Sequence, residues 1–314
     1  MGKRILRLVA VVLTVSAITF LMVDRLPGDV AYQIAGPDAS LQDVQAIRQS
    51  LGLDKNIALR YLTWLGRAFT GDLGVSYLTH EKVWDAISAR LPVTIELMVL
   101  AQMISLCLAV PIGIYTAYRP GSITDKICGC MAFATMSVPV FVMALVLVLV
   151  FALTLGWLPA TGYIPISQGL IDNLRSMILP AMSIALIEWV PLMRTLRSDM
   201  ITTLKEDYIL VARSKGLPPA RILLCHALRS SLFTLITLLG LHIGHLIGGS
   251  LIVEIVFALP GIGRLMVGAI FGRDFMIVQG CILFIAIAYV AVNGIVDVCY
   301  AVLDPRIRRK NAIG

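Results

Sequence analysis

The apolar residues of this chain fall into blocks of about 20, separated by charged stretches. A block of that length crosses the ~30 Å hydrocarbon core of a bilayer as a helix rising 1.5 Å per residue. Six such blocks are expected near residues 5–23, 93–118, 131–155, 178–197, 230–252 and 277–302. One soluble core cannot hold them all. Charged residues make up only 14% of the chain, against roughly 25% in soluble domains. The expected fold class is therefore an all-α membrane protein with about six transmembrane helices, which excludes a soluble enzyme.

The start, Met1-Gly2-Lys3-Arg4 followed by an apolar run to Val23, resembles a signal peptide. No small-x-small cleavage site follows it, so an uncleaved first span is expected. The net charge of +7 points to topology and lipid rather than to nucleic acid. Lys and Arg gather at the N-terminus, in residues 119–130 and 198–229, and in the tail. Positive charge marks cytoplasmic connections, so both termini are expected inside and residues 24–92 outside. The six Cys avoid the long polar segment 24–92, so no disulfide framework is implied. Cys128 and Cys130 lack a zinc spacing.

The expected division is a first helix at 1–23, an external helical segment at 24–92, a five-helix core at 93–302 and a tail at 303–314. In the external segment Leu41, Val44, Ile47 and Leu51, then Leu59, Leu62, Leu65 and Phe69, recur at helical spacing. Asp54 or Asn56 is a candidate cap for the second of these helices, and Gly71-Asp72-Leu73-Gly74 reads as a turn. Pro111 with Gly113, Pro139, Pro180 and Pro191 interrupt the spans, as hinges or as static kinks. Gly240 and Gly244 have the spacing of a close helix contact.

The connection at 198–229 is too long for a tight link. It is amphipathic and broken by Gly216 and Pro218-Pro219. It offers a short helix, a sharp turn and a second helical stretch that re-enters the membrane. Such a segment serves either as a docking peg for a soluble partner or as a solvated loop that neutralises lipid headgroups.

This stretch resembles the coupling loop of ABC importer permeases, in the dipeptide, oligopeptide and nickel branch. Asp207-Tyr208-Ile209, Ala212-Arg213, Lys215-Gly216-Leu217 and His226-Ala227-Leu228-Arg229 carry the branch pattern. The Glu and the final Pro of the wider family motif are missing, and Ser230 stands where the branch usually has Asn. The likeness extends over the whole chain. It takes in Gly71-Asp72-Leu73-Gly74-Val75-Ser76, Leu91-Pro92-Val93-Thr94-Ile95-Glu96-Leu97, Ser137-Val138-Pro139 and Trp157-Leu158-Pro159-Ala160-Thr161-Gly162-Tyr163. It continues through Ile178-Leu179-Pro180-Ala181, Phe257-Ala258-Leu259-Pro260-Gly261-Ile262-Gly263-Arg264 and Leu303-Asp304-Pro305-Arg306-Ile307-Arg308. Leu259 replaces the usual Trp.

The resemblance implies a type I importer permease in a bacterial inner membrane. It also implies a second permease chain, two ABC ATPase subunits that bind ATP and Mg²⁺, and an external substrate-binding protein. This sequence has no Gly-xxxx-Gly-Lys-Ser/Thr loop, so catalysis and cofactors are expected on partner subunits and none on this chain. By resemblance, Asp207, Tyr208, Ala212, Arg213, Lys215, Gly216, His226 and Arg229 would meet the ATPase. Glu254, Pro260, Gly261, Gly263 and Arg264 would form an external gate or binding-protein dock.

Ionisable and polar groups in or near spans mark candidate path residues: Glu96, Glu188, His242, His245, Asn293 and Asp297. His242 and His245 share a helix face, open to a transient nickel contact or to hydrogen bonding between helices. The run from His242 to Gly249 resembles nickel-branch permeases, so nickel or a metal chelate is the expected cargo and peptide the alternative. A rival of another class is an ion-gradient-driven secondary transporter, which calls for a charged midplane site and repeats.

Overall fold

The computed structural model describes residues 2–24, 30–36, 39–50, 52 and 54–303. In chain order the helices are α1 (Gly2–Asp24), α2 (Val30–Ala35), α3 (Leu41–Ser50), α4 (Ile57–Phe69), α5 (Val83–Tyr118), α6 (Ile123–Met136) and α7 (Val140–Leu147). After these come α8 (Leu170–Thr203), α9 (Asp207–Ser214), α10 (Pro219–Arg221), α11 (Leu228–Gly249), α12 (Leu251–Val256), α13 (Ile262–Phe271) and α14 (Phe275–Leu303). π-helical turns extend α7 over Val148–Thr154 and join α10 to α11 over Ile222–Ala227. Among the described residues, four helical runs are long and apolar enough to cross a bilayer, and a bent pair makes a fifth. Where the sequence leads one to expect a first span, α1 carries a shorter apolar stretch among the described residues, Val9–Met22.

The chain divides into two compact units. The first comprises Met1–Thr94 and Pro260–Val290. Its core gathers Trp64, Leu73, Val83, Ile87, Ile262, Ile277 and Cys281. Asn56 caps α4, its side-chain oxygen accepting the Ala58 N–H at 2.9 Å, which settles the choice between two candidate caps. The Gly71–Gly74 turn needs glycine at both ends, with φ of +86° and +94°, where side chains are strained. The Asp72 side chain closes it by accepting the Gly74 N–H at 2.9 Å. The chain then reverses so that the Val83 N–H meets the Gly74 carbonyl at 3.0 Å. Ser76 donates to the buried Asp274 carboxylate, which also accepts the Tyr77 N–H at 3.3 Å. The 71–76 motif is therefore a fastening for the start of α14. At the other end of this core, Gln279 donates to the Ser16 carbonyl at 3.0 Å, and Ser16 bonds Tyr61 at 2.8 Å.

The second unit comprises Ile95–Leu259 and Ala291–Gly314. Trp189, Leu192, Met193, Leu196 and Met200 of α8 pack with Ala109 and Ala117 of α5, Ala132 of α6 and Leu235 of α11. Arg197 grips Asp125 with two hydrogen bonds, at 2.9 and 2.8 Å, and the Arg194 guanidinium lies 4.3 Å from the centre of the Phe133 ring. These two contacts fix α8 against α6.

Several boundaries differ from the expected ones. The second span begins at Val83 rather than 93, because three helical turns of mixed polarity, Trp84, Asp85, Ser88 and Arg90 among them, precede the apolar block. The fourth runs from Leu170 to Thr203 rather than 178–197, so the cytoplasmic connection expected at 198–229 shrinks to residues 204–227. The largest difference concerns the third. Residues 131–155 are not one straight span; Ile123–Met136 and Val140–Thr154 meet at 103°. Pro139, with φ −59° and ψ 147°, lacks the N–H that would continue the ladder and disfavours helix at Val138.

Two glycines separate tight packing from open space. A Cβ on Gly240 of α11 would overlap Cγ2 of Val296 on α14, whereas a Cβ on Gly129 of α6 meets nothing within 4 Å. Gly240→Ala should therefore cost about 1–3 kcal/mol by overpacking, while Gly129→Ala should be neutral or stabilising by up to about 1 kcal/mol. Thermal unfolding of the purified variants in one detergent checks this; equal midpoints would refute the assigned contact.

Candidate functional site

The end of α8 turns through residues 204–206, with Leu204 N–H to Met200 C=O at 2.8 Å and Glu206 N–H to Thr203 C=O at 3.1 Å. Glu206 is extended, at φ −68° and ψ 148°, and starts α9. Asp207 in the first turn complements the helix dipole. The other end closes by a Schellman motif: Leu217 N–H bonds Ala212 C=O at 3.3 Å, and Gly216 N–H bonds Arg213 C=O at 2.9 Å. Gly216 adopts φ +74°, which explains the glycine. Pro218 is extended, and Pro219 begins α10 where a missing N–H costs nothing.

The result is a small hook with its own core. Ile209, Ala212 and Ile222 are buried, with Leu204 and Leu217 packed on them. The opposite face of α9 is apolar and open: Tyr208, Leu210 and Val211 are 46%, 53% and 51% exposed. Asp207, Arg213 and Lys215 are also exposed. A cleft of about 540 Å³ lies behind the hook, lined by Tyr118, Arg119, Leu204, Arg213, Leu217, Pro219, Ile222 and Leu223. His226 is half-buried in the π-helical turn, and Arg229 is exposed in the first turn of α11. Of the eight residues expected here, Ala212 faces the hook's core and Gly216 makes its turn; the charged ones and Tyr208 form the outward surface. The sequence reading missed Ile209, Leu210 and Val211, although their i, i+3 alternation of inward and outward apolar residues was visible.

The candidate path residues separate into pairs. Nδ1 of His242 on α11 lies against Oε2 of Glu188 on α8, with side chains 15% and 16% exposed. The Tyr163 hydroxyl donates to Glu96 at 2.9 Å. Burial first, then the Glu96 hydrogen bond, push the Tyr163 phenol up to about 12, so it remains a donor. Asn293 is half-buried on α14. The side chains of His245 and Asp297 lie outside the described residues. Among the described residues, no three His, Cys, Asp or Glu side chains gather as metal ligands. Gln102 and the indole N–H of Trp189 are buried without a hydrogen-bond partner there, and neither was singled out from sequence.

The expected outer gate falls in two parts. In the second unit Glu254 is fully buried, and Ser250 donates to it at 3.2 Å; it is an interior group rather than a surface dock. The Leu259 N–H closes the end of α12 on the Glu254 carbonyl at 2.8 Å, and the Phe257 carbonyl receives Gly162 N–H at 2.9 Å. In the first unit Pro260 and Arg264 are exposed, while Gly261 and Gly263 are buried. The Ile262 N–H, next to Gly261, bonds the Thr94 hydroxyl at 2.9 Å.

The geometry of Gly216 makes a direct forecast. Gly216→Ala should strain the hook by about 1–2 kcal/mol, and Gly216→Asn by less. Hydrogen exchange across residues 207–217 should rise in that order while α8 and α11 keep their protection; unchanged exchange in the alanine variant would contradict the Schellman assignment.

Comparison with known proteins adds four findings. Residues 109–309 match the model of the binding-protein-dependent transport system inner membrane component, and residues 1–98 match the N-terminal model of the same kind of membrane component. A putative peptide transport system permease protein of Brucella abortus (strain 2308) is 42% identical over 306 residues, covering 98% of both chains. The glutathione transport system permease protein GsiC of Escherichia coli (strain K12) is 34% identical over 308 residues, again covering 98% of each. In three dimensions, a chain of the MetNI methionine ABC transporter in inward-facing conformations matches with a TM-score of 0.53 at 15% identity, over 68% of this chain and 93% of that one.

Proposed function

The chain belongs to the binding-protein-dependent transport system inner membrane component family, as a permease subunit of an ABC importer, and from that premise we propose that it forms half of the membrane pathway for short peptides. The observation that carries the mechanism is the hook. A helix too short to be stable alone is held rigid and offers Tyr208, Leu210 and Val211 to the aqueous phase. Exposed apolar side chains ringed by charge suit burial in a protein cleft.

In this reading the hook seats in an ATPase subunit, with Arg213 and Lys215 on the rim of the contact. Two permease chains sit on two ATPases, and a binding protein delivers cargo on the far side. Both termini and the hook are cytoplasmic, in keeping with the Lys and Arg bias. ATP supplies the bias between inward- and outward-open states on the partner subunits; this chain's part is to receive the motion and to line the path with α5, α8 and α11. Pro260 and Arg264 face the binding protein.

Support for peptide over nickel comes from the names of the 42%-identical peptide permease and of the glutathione permease. Glutathione is itself a small peptide. The nickel expectation rested on the run around His242, and that imidazole is engaged by Glu188.

Two tests follow from this reading. Val211→Asp should cut co-purification of the ATPase by about tenfold or more and leave the permease's thermal midpoint unchanged; wild-type co-purification would remove the docking face. Proteoliposomes holding the full transporter and ATP should accumulate labelled di- or tripeptides and not ⁶³Ni²⁺. Nickel accumulation would reverse the substrate assignment, and uptake without the ATPase would favour a gradient-driven carrier.

A further inference from the structure

The hook hangs between two long helices, α8 before it and α11 after it. Glu188 lies fifteen residues before the end of α8 at Thr203, and His242 lies fourteen residues after the start of α11 at Leu228. The helix that carries His242 is continuous from Pro219 through the π-helical turn, so His242 lies 23 residues into its stalk. The two side chains meet all the same, Nδ1 of His242 against Oε2 of Glu188.

Between that pair and the hook the stalks touch through apolar side chains, Leu192, Leu196 and Met200 of α8 with Leu235 of α11. Contacts of this kind are non-directional, and stalks joined only by them can slide or rotate against each other. A carboxylate and an imidazole in a low-dielectric interior are different. Each leaves the other without a polar partner if they separate, and an unpartnered polar group is costly there. Below the pair α8 is braced again, since Gly113 of α5 is so close to Leu196 and the Met193 carbonyl that an added Cβ would be crowded. Above it the remainder of α8 has only Pro180 as an interruption.

We infer that Glu188 and His242 are positioning residues: a polar tie that locks the two stalks of the hook into one lever, so that displacement of the hook moves the far half of both spans together. The tie rests on the reading of the hook as the ATPase seat. Glu188 and His242 then act through the helices they join and need not touch the cargo. Without the tie, ATP-driven movement of the hook is lost in slippage between α8 and α11, and hydrolysis runs on without transport.

The full transporter with its ATPases and binding protein, reconstituted with ATP and a labelled dipeptide, tests this. In Glu188→Ala and in His242→Ala, ATP hydrolysed per peptide imported should rise about fivefold or more, with the ATPase co-purifying at the wild-type level. The exchanged pair, Glu188→His with His242→Glu, should return the ratio to that of the wild type. An unchanged ratio in the single variants overturns the tie. So does an exchanged pair that regains thermal stability but keeps the raised ratio, since that marks a direct contact with the peptide. If the alanine variants do not accumulate in the membrane, Glu188→Met, which keeps the side-chain length without the carboxylate, is read the same way: a raised ratio supports the tie and an unchanged one overturns it. Loss of ATPase co-purification from the wild-type complex would instead sink the hook as ATPase seat, and the tie with it.

Discussion

An eight-residue helix has too few hydrogen bonds to offset the cost of nucleating it, so α9 exists only because the rest of the hook holds it. Ile209 and Ala212 are buried against Ile222, Leu204 and Leu217, and the Schellman closure at Gly216 brings Leu217 back onto that same core. The exposed surface is the reverse of this packing. Because Ile209 and Ala212 point inward, their neighbours Tyr208, Leu210 and Val211 are forced outward. The outward side is therefore determined by what the inward side needs. The hook is held by a handful of aliphatic contacts and one left-handed glycine.

Proline has opposite consequences in different parts of the chain. Pro180 and Pro191 lie inside α8 without ending it, while Pro139 divides α6 from α7 at 103°. The number of lost hydrogen bonds is the same at each position. What differs is the surroundings. Residues 177–196 of α8 are mostly buried among α5, α6 and α11, and packing on several sides holds the helix through the gap. The residues flanking Pro139, Met136, Val138 and Phe141, are exposed or half-exposed, so little packing opposes the break. Whether a proline interrupts its helix follows burial, which a single sequence does not display.

The six apolar blocks, the Asn56 cap, the Gly71–Gly74 turn and the hook were legible because each is written in consecutive residues: a run of hydrophobes, an Asn before a periodic segment, glycine where φ turns positive. Boundaries were less so. Hydropathy registers where the apolar stretch begins, not where the helix does, and α5 starts ten residues earlier through Trp84, Asp85 and Arg90. Least legible were contacts between distant residues. Nothing local in Ser76 points to Asp274, and Glu188 and His242 were each noticed as misplaced polar groups without a way to join them. Glu254 was placed in an outer gate or dock by the resemblance alone, whereas it is fully buried beside Ser250.

These distant polar contacts share a physical role. In a bilayer, apolar side chains gain little by choosing one apolar neighbour over another, since lipid is as good a solvent as leucine. Aliphatic packing then leaves the register between neighbouring helices loosely specified. A carboxylate has no such freedom: it requires a donor, and the donor's position sets where the helices must meet. In the second unit Asp125 meets Arg197 and fixes α6 on α8, Glu188 meets His242 and fixes α8 on α11, and Glu96 meets Tyr163 and fixes α5 on the segment before α8. In the first unit Asp274 does the same for the 71–76 turn. Two of these acids, Glu96 and Glu188, stand inside apolar blocks, where a hydropathy reading treats them as defects, and all four define how their elements align. On the inference drawn above, the pair that joins the two stalks is the one through which alignment becomes transmission.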